Sequence, residues 1–135
     1  MSLRVLVVEN DPDTSQSYGL LLRHWGHHAR LALTGEDGLH VAGDFLPNVV
    51  LLDMGLGKGL DGYQVARSMR ADVLLAGVVL VAVTGYGGAA DKEAALAAGC
   101  DYHFVKPVAP DELCGFLRSL DQGAALTTAV GGVAG

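Results

Sequence analysis

Long apolar runs, cysteines and clustered basic residues are all scarce in this chain. No apolar stretch reaches the roughly 18 residues that a bilayer-spanning helix needs, so no transmembrane segment is expected. The only two cysteines, Cys100 and Cys114, lack metal-like spacing and read as free thiols in a reducing cytosol. Nine Lys and Arg face fifteen Asp and Glu, for a net charge of −6, and the basic residues do not cluster along the chain. That balance argues against nucleic acid or an anionic membrane as a direct partner. The opening "MSLRVLVVEND" lacks the charged start, apolar middle and cleavage site of a signal peptide, so a cytoplasmic location is expected. What the chain has in quantity is apolar side chains. They make up 50% of its 135 residues, enough to build the core of one domain and too many for a disordered composition.

Five short apolar runs stand out: Leu3–Val8, Ala29–Ala32, Val49–Leu52, Val78–Val83 and Tyr102–Val105. Three of them are nearly continuous Val and Leu, the pattern of strands covered on both faces in a parallel sheet. Segments of helical spacing lie between them. The first runs from Pro12 to about Trp25, with Asp11 as N-cap, Pro12 at the first helical position and Gly26 as a stop. The second spans Glu36 to Phe45 and ends before Pro47. The third starts near Asp61 and carries Val65, Ala66 and Met69 on one face. The fourth is the alanine-rich "AADKEAALAAG", halting at Gly99. The fifth follows Pro110 and lines up Leu113, Phe116, Leu117 and Leu120. Five strand–helix alternations predict an α/β fold, a doubly wound parallel sheet with right-handed crossovers. Residues 1–121 form this domain, and the uncharged "QGAALTTAVGGVAG" from residue 122 to 135 reads as a flexible tail.

Polar residues punctuate the strand ends. The first strand ends at Glu9 and Asn10, the third at Asp53, the fourth at Thr84 and the fifth at Lys106. Open α/β sheets bind ligands outside the carboxyl ends of their strands, so all five residues are expected on one rim. Two carboxylates, an amide, a hydroxyl and an ammonium suit a hard cation beside a phosphoryl group. Mg²⁺ takes oxygen ligands and keeps several waters. Lys supplies a point charge for a phosphoryl oxygen, and Thr a hydroxyl donor. Asp53 is then a metal ligand, a nucleophile forming an aspartyl phosphate, or both. Taken singly, each residue has a plainer role: Glu9 and Asn10 as a helix start, Asp53 and Thr84 as turn residues, Lys106 as a solvated charge. Their joint placement carries the weight. Two other motifs carry little. "TGYGG" lacks a third glycine, since position 90 is Ala90, and it follows the wrong strand for a dinucleotide loop. His27–His28 has no partners at ligand spacing and reads as a solvated turn.

The set "VVEND", "LLDMGLGKGLDGYQVARSMR", "VAVTGYG" and "DYHFVKP" resembles the receiver domain of two-component response regulators, from residue 3 to about 120. The resemblance implies a five-stranded sheet in the order 2-1-3-4-5, with helices 2, 3 and 4 on one face and helices 1 and 5 on the other. It implies Asp53 as the acceptor of a phosphoryl group from a sensor histidine kinase or histidine phosphotransfer protein. Glu9, Asn10, Asp53 and the Gly55 backbone carbonyl would hold Mg²⁺, and Thr84 and Lys106 would bind the phosphoryl oxygens. A cis bond before Pro107 and an output face of helix four, strand five and helix five are further implications, as is a homodimer through that face. The protein would be a signalling switch that assists only its own phosphorylation and dephosphorylation. It would stand alone or belong to a longer chain; "DGYQVARSMR" and "VAVTGYG" look most like receivers attached to hybrid sensor kinases.

Three positions depart from the family's pattern. Asn10 stands where an acid is commoner, removing a charge whose pairing at about 4 Å would be worth on the order of 4 kcal/mol at an effective dielectric of 20. Relief of carboxylate crowding makes the net loss in metal affinity smaller. Gly57 stands where proline is common, in a loop one residue longer, which predicts a looser loop. His103 replaces the aromatic residue that couples the site to the output face, with Tyr102 on the opposite side of the strand. An imidazole there would make the switch pH-sensitive or weaken the coupling. Asn10 and His103 keep an alternative open, a degenerate receiver that docks a partner constitutively without phosphorylation. A phosphatase with an aspartyl intermediate would need a second acid at position 55, which is Gly55.

Overall fold

The computed structural model describes residues 2–85 and 88–121; the proposed tail lies outside the described residues. The elements run β1 (Arg4–Val8), α1 (Pro12–His24), β2 (His28–Ala32), α2 (Gly35–Phe45), β3 (Val49–Asp53), α3 (Gly62–Ala71), β4 (Val79–Thr84), α4 (Ala89–Ala97), β5 (Tyr102–Val105) and α5 (Pro110–Asp121). The five strands form one parallel sheet in the order β2-β1-β3-β4-β5.

Strand alternation divides the core in two. Leu6, Val8, Val50, Leu52, Leu80 and Ala82 pack with Ala42 of α2, Val65 and Met69 of α3 and Ala95 of α4. Their neighbours Val5, Val7, Val49, Leu51, Val81 and Val83 pack with Leu22 of α1 and with Leu113 and Leu117 of α5. No residue from Val49 to Leu52 exceeds 2% exposure, which is why that run reads as unbroken apolar sequence. Each such Val or Leu contributes about 1.5–3 kcal/mol of transfer free energy.

The helix ends follow local chemistry. Asp11 accepts the Thr14 amide at 3.2 Å, Thr34 the Asp37 amide at 3.0 Å, and Asp61 shares a capping box with Gln64. Trp25 caps α1 at its C-terminus, and Gly26 follows at φ +92°, as a C′ glycine should.

One expectation needs correction. His27–His28 is not a solvated turn. The His28 amide donates to the Leu3 carbonyl at 2.9 Å and starts β2, while His27 Nδ1 accepts the Leu3 amide at 3.1 Å. Burial holds His27 below the usual imidazole range. The segment before β4 also contains a short 3₁₀ turn, Val73–Leu75, capped by Asp72. Nearby, Arg70 ties the base of the sheet together: its guanidinium donates to Gly99 O at 2.8 Å and Val78 O at 2.8 Å and pairs with Asp101, which accepts the Leu80 amide at 2.9 Å.

Gly43 and Gly115 are helical glycines with open space around them. Gly43 lies inside α2, and a β-carbon there meets nothing within 4 Å. Gly43→Ala should raise stability by about 0.5–1 kcal/mol, read as a higher urea midpoint at unchanged slope.

Candidate functional site

Register assembles the rim. Val8 pairs with Leu52, so Glu9 lies level with Asp53. Asp53 pairs with Val83, and Thr84 with Val105, placing Thr84 and then Lys106 one step further along. Four tips from four strands thus meet at the carboxyl edge of the sheet.

Three of them join directly. The Lys106 ammonium donates to Glu9 Oε1 at 3.0 Å and lies 3.3 Å from Asp53 Oδ1. Both carboxylates are buried, at 3% and 5% exposure, while Lys106 stays one-third exposed. Burial alone would lower the Lys106 pKa; the Glu9 hydrogen bond and the Asp53 charge outweigh it and hold the ammonium above its usual value. The Gly55 amide donates to Asp53 Oδ1 at 2.9 Å, and the Asp11 amide to Glu9 Oε2 at 3.0 Å. The peptide bond between Lys106 and Pro107 is cis.

Thr84 is buried, and its Oγ1 lies 2.9 Å from His103 Nε2. Tyr102 and Phe104 point the other way, stacking edge-on against Phe116 of α5 at 4.8 and 5.2 Å. The hydroxyl and the imidazole are therefore a coupled pair, a contact that separate readings of the two positions do not anticipate. Asn10 is exposed and stands outside the Glu9–Lys106–Asp53 group, with its amide nitrogen beside Gly57.

A family model described as the response regulator receiver domain matches residues 5–118. The chain belongs to that family. Receivers are signalling switches rather than conventional enzymes. The DNA-binding response regulator MtrA of Mycolicibacterium smegmatis is 33% identical over 119 residues, covering 88% of this chain and 50% of MtrA. The chain spans about half the length of the curated relatives it matches. A CheY-like receiver domain protein from Methanospirillum hungatei superposes with a TM-score of 0.80 at 26% identity, over 89% of this chain and 94% of that one. The receiver domain of a Pseudomonas aeruginosa sensor histidine kinase, solved with magnesium coordinated in its active-site cleft, gives a TM-score of 0.79 at 28% identity, over 87% and 96%.

In this receiver the rim opens into a cleft of about 300 Å³ lined by Asp53, Gly55, Tyr63, Thr84, Asp91 and Lys106 among others. Tyr63 and Asp91 were not singled out from the sequence. Both sit in first turns after a strand end, the position that could have flagged them. Within the Glu9–Lys106–Asp53 group, two carboxylates face one ammonium, and Asp91 adds a further carboxylate to the cleft wall. No three His, Cys, Asp or Glu side chains converge among the described residues. A divalent ion would need Glu9 and Asp53 supplemented by neutral oxygens, such as the Asn10 amide, the Gly55 carbonyl and water, a set that magnesium accepts.

The loop after Asp53 is better anchored than Gly57 suggests. Gly57 does take φ +82°. Yet Met54 and Leu56 are buried at 5% and 3% in the core under α2, α3 and α4. The Met54 amide donates to Val83 O at 3.1 Å, and Glu36 Oε2 accepts the Leu60 amide at 3.4 Å. Two buried apolar side chains thus anchor a loop that also carries two positive-φ glycines, Gly57 and Gly59.

Proposed function

We propose that this receiver is a phosphorylation-dependent switch in which Asp53 takes a phosphoryl group from a sensor histidine kinase or histidine phosphotransfer protein. The observation that carries the reading is the Lys106 ammonium held 3.3 Å from a buried Asp53 oxygen at the mouth of the cleft. Gly55 and Lys106 both address Oδ1, which leaves Oδ2 as the oxygen to attack phosphorus. The Oδ2–P bond forms as the donor's P–N bond breaks, and Lys106 offsets charge on the transferring group. Magnesium, held by Glu9, Asn10, Asp53 and the Gly55 carbonyl, would supply further positive charge to the phosphoryl oxygens. The product adds about −1.5 to −2 charge to the rim. Thr84 then turns its hydroxyl from His103 to a phosphoryl oxygen, biasing the face of α4, β5 and α5 between two states. Through that face the receiver meets a downstream protein or the rest of a hybrid kinase, in the cytoplasm.

Acetyl phosphate or beryllofluoride with Mg²⁺ tests this. One adduct per chain, mapped to Asp53 by mass spectrometry and absent in Asp53→Asn, is the expected result. No adduct on the unaltered chain would sink the switch and leave the constitutive docking module.

A further inference from the structure

Arginines that look scattered along the sequence come together in space, which corrects the impression that basic residues do not cluster. Arg4 opens β1, Arg23 lies in the last turn of α1, and Arg30 lies in β2. With His28 and Phe45 they line an open cleft of about 470 Å³. It sits where β1 and β2 begin, at the end of the sheet opposite Asp53.

No acidic side chain lines this cleft. Among the described residues, ion pairs engage Lys106, Arg70 and His40, and none engages these three arginines. Each guanidinium is nevertheless steadied from one side. Arg4 donates to the Leu46 carbonyl at 3.0 and 2.7 Å, Arg23 to the Ala29 carbonyl at 3.3 Å, and Arg30 lies 5.2 Å over the Phe45 ring. A guanidinium carries five N–H donors, so most remain unspent. Pre-positioned forks of this kind recognise carboxylates bidentately. β2 is also the edge strand of the sheet, the kind of position at which an extended segment can add.

We propose that this cleft docks an acidic segment of a protein partner, its carboxylates on Arg23 and Arg30 and an apolar side chain against Phe45. A protein segment fits better than DNA. A duplex presents a long track of phosphates to a chain of net charge −6, whereas a short acidic segment needs only local complementarity. The surface is independent of the phosphoacceptor rim.

The test uses the full chain and a fluorescent peptide of alternating Glu and Leu, followed by anisotropy. The double variant Arg23→Glu/Arg30→Glu should weaken binding about 30-fold, and Arg23→Gln/Arg30→Gln about tenfold. Raising salt from about 50 to about 300 mM should weaken it several-fold, while Asp53→Asn should leave it unchanged. Unaltered circular dichroism, and acetyl-phosphate uptake like that of the parent chain, would show that the variants fold. Equal affinity in parent and variants, or no peptide binding at about 1 mM, would overturn the proposal. So would tighter, arginine-dependent binding of a short DNA duplex.

Discussion

Replacing Lys106 by Met should lower unfolding free energy by about 2–4 kcal/mol at neutral pH and slow phosphoryl uptake on Asp53 about a hundredfold. Removing the ammonium leaves Glu9 and Asp53, both almost fully buried, as two uncompensated like charges. Breaking a buried pair by deleting one partner costs about 3–5 kcal/mol, and the one-third exposure of Lys106 reduces that through solvent screening. The pH dependence has a definite sign. The folded chain holds the Lys106 pKa above its ordinary value. Its stabilisation is therefore fully present below about pH 10.4, the unfolded value, and is lost as pH rises through the higher folded one. Urea melts of parent and variant should differ by a constant amount between about pH 7 and 9, and the difference should shrink as pH rises through the folded value. A difference under about 0.5 kcal/mol at neutral pH would show that the ammonium adds no more than a surface ion pair.

Gly62→Ala should be the most damaging single methyl in the molecule. Its β-carbon would lie 2.5 Å from the Met54 α-carbon, 2.7 Å from the Asp53 carbonyl oxygen and 2.9 Å from the Met54 sulfur. Two of these obstacles are backbone, so no rotamer change relieves them, and overpacking of this kind costs about 1–3 kcal/mol. The strain falls on the stretch that presents Asp53 and Gly55, where a displacement of about 1 Å can cost about a hundredfold in rate. Urea denaturation and the time course of acetyl-phosphate uptake measure the two effects separately. Gly43→Ala adds the same methyl where space is open and should move stability the other way; matching losses in both variants would remove the steric explanation.

Legibility in the sequence tracked the kind of interaction that places each residue. β1, β3 and β4 read plainly because, beyond Arg4 at the start of β1, burial on both faces keeps their interiors apolar. Glu9, Asp53 and Thr84 read as a rim because each directly ends or follows such a run, and Lys106 because it follows the shorter apolar run of β5. β2 read one residue short: its first residue, His28, is placed by the carbonyl of Leu3, just before β1, a partner that local composition does not reveal. The contact between Thr84 and His103, the arginine cleft and the reach of Arg70 from α3 to Gly99 and Asp101 all depend on long-range geometry. In the loop after Asp53, glycine and length are visible locally, whereas the anchorage of Met54 and Leu56 in the core depends on tertiary packing.

The parallel register has a consequence for how such a chain can diverge. Every connection leaving a strand starts at the Asp53 edge, and every connection entering one arrives at the other edge, as do the turns at Trp25–His27 and Leu46–Asn48. Insertions at those arrivals lengthen the molecule's underside without shifting any strand by a residue, so the alternation that aims each tip survives. One end of the molecule is thus free to acquire new neighbours while the other keeps its chemistry.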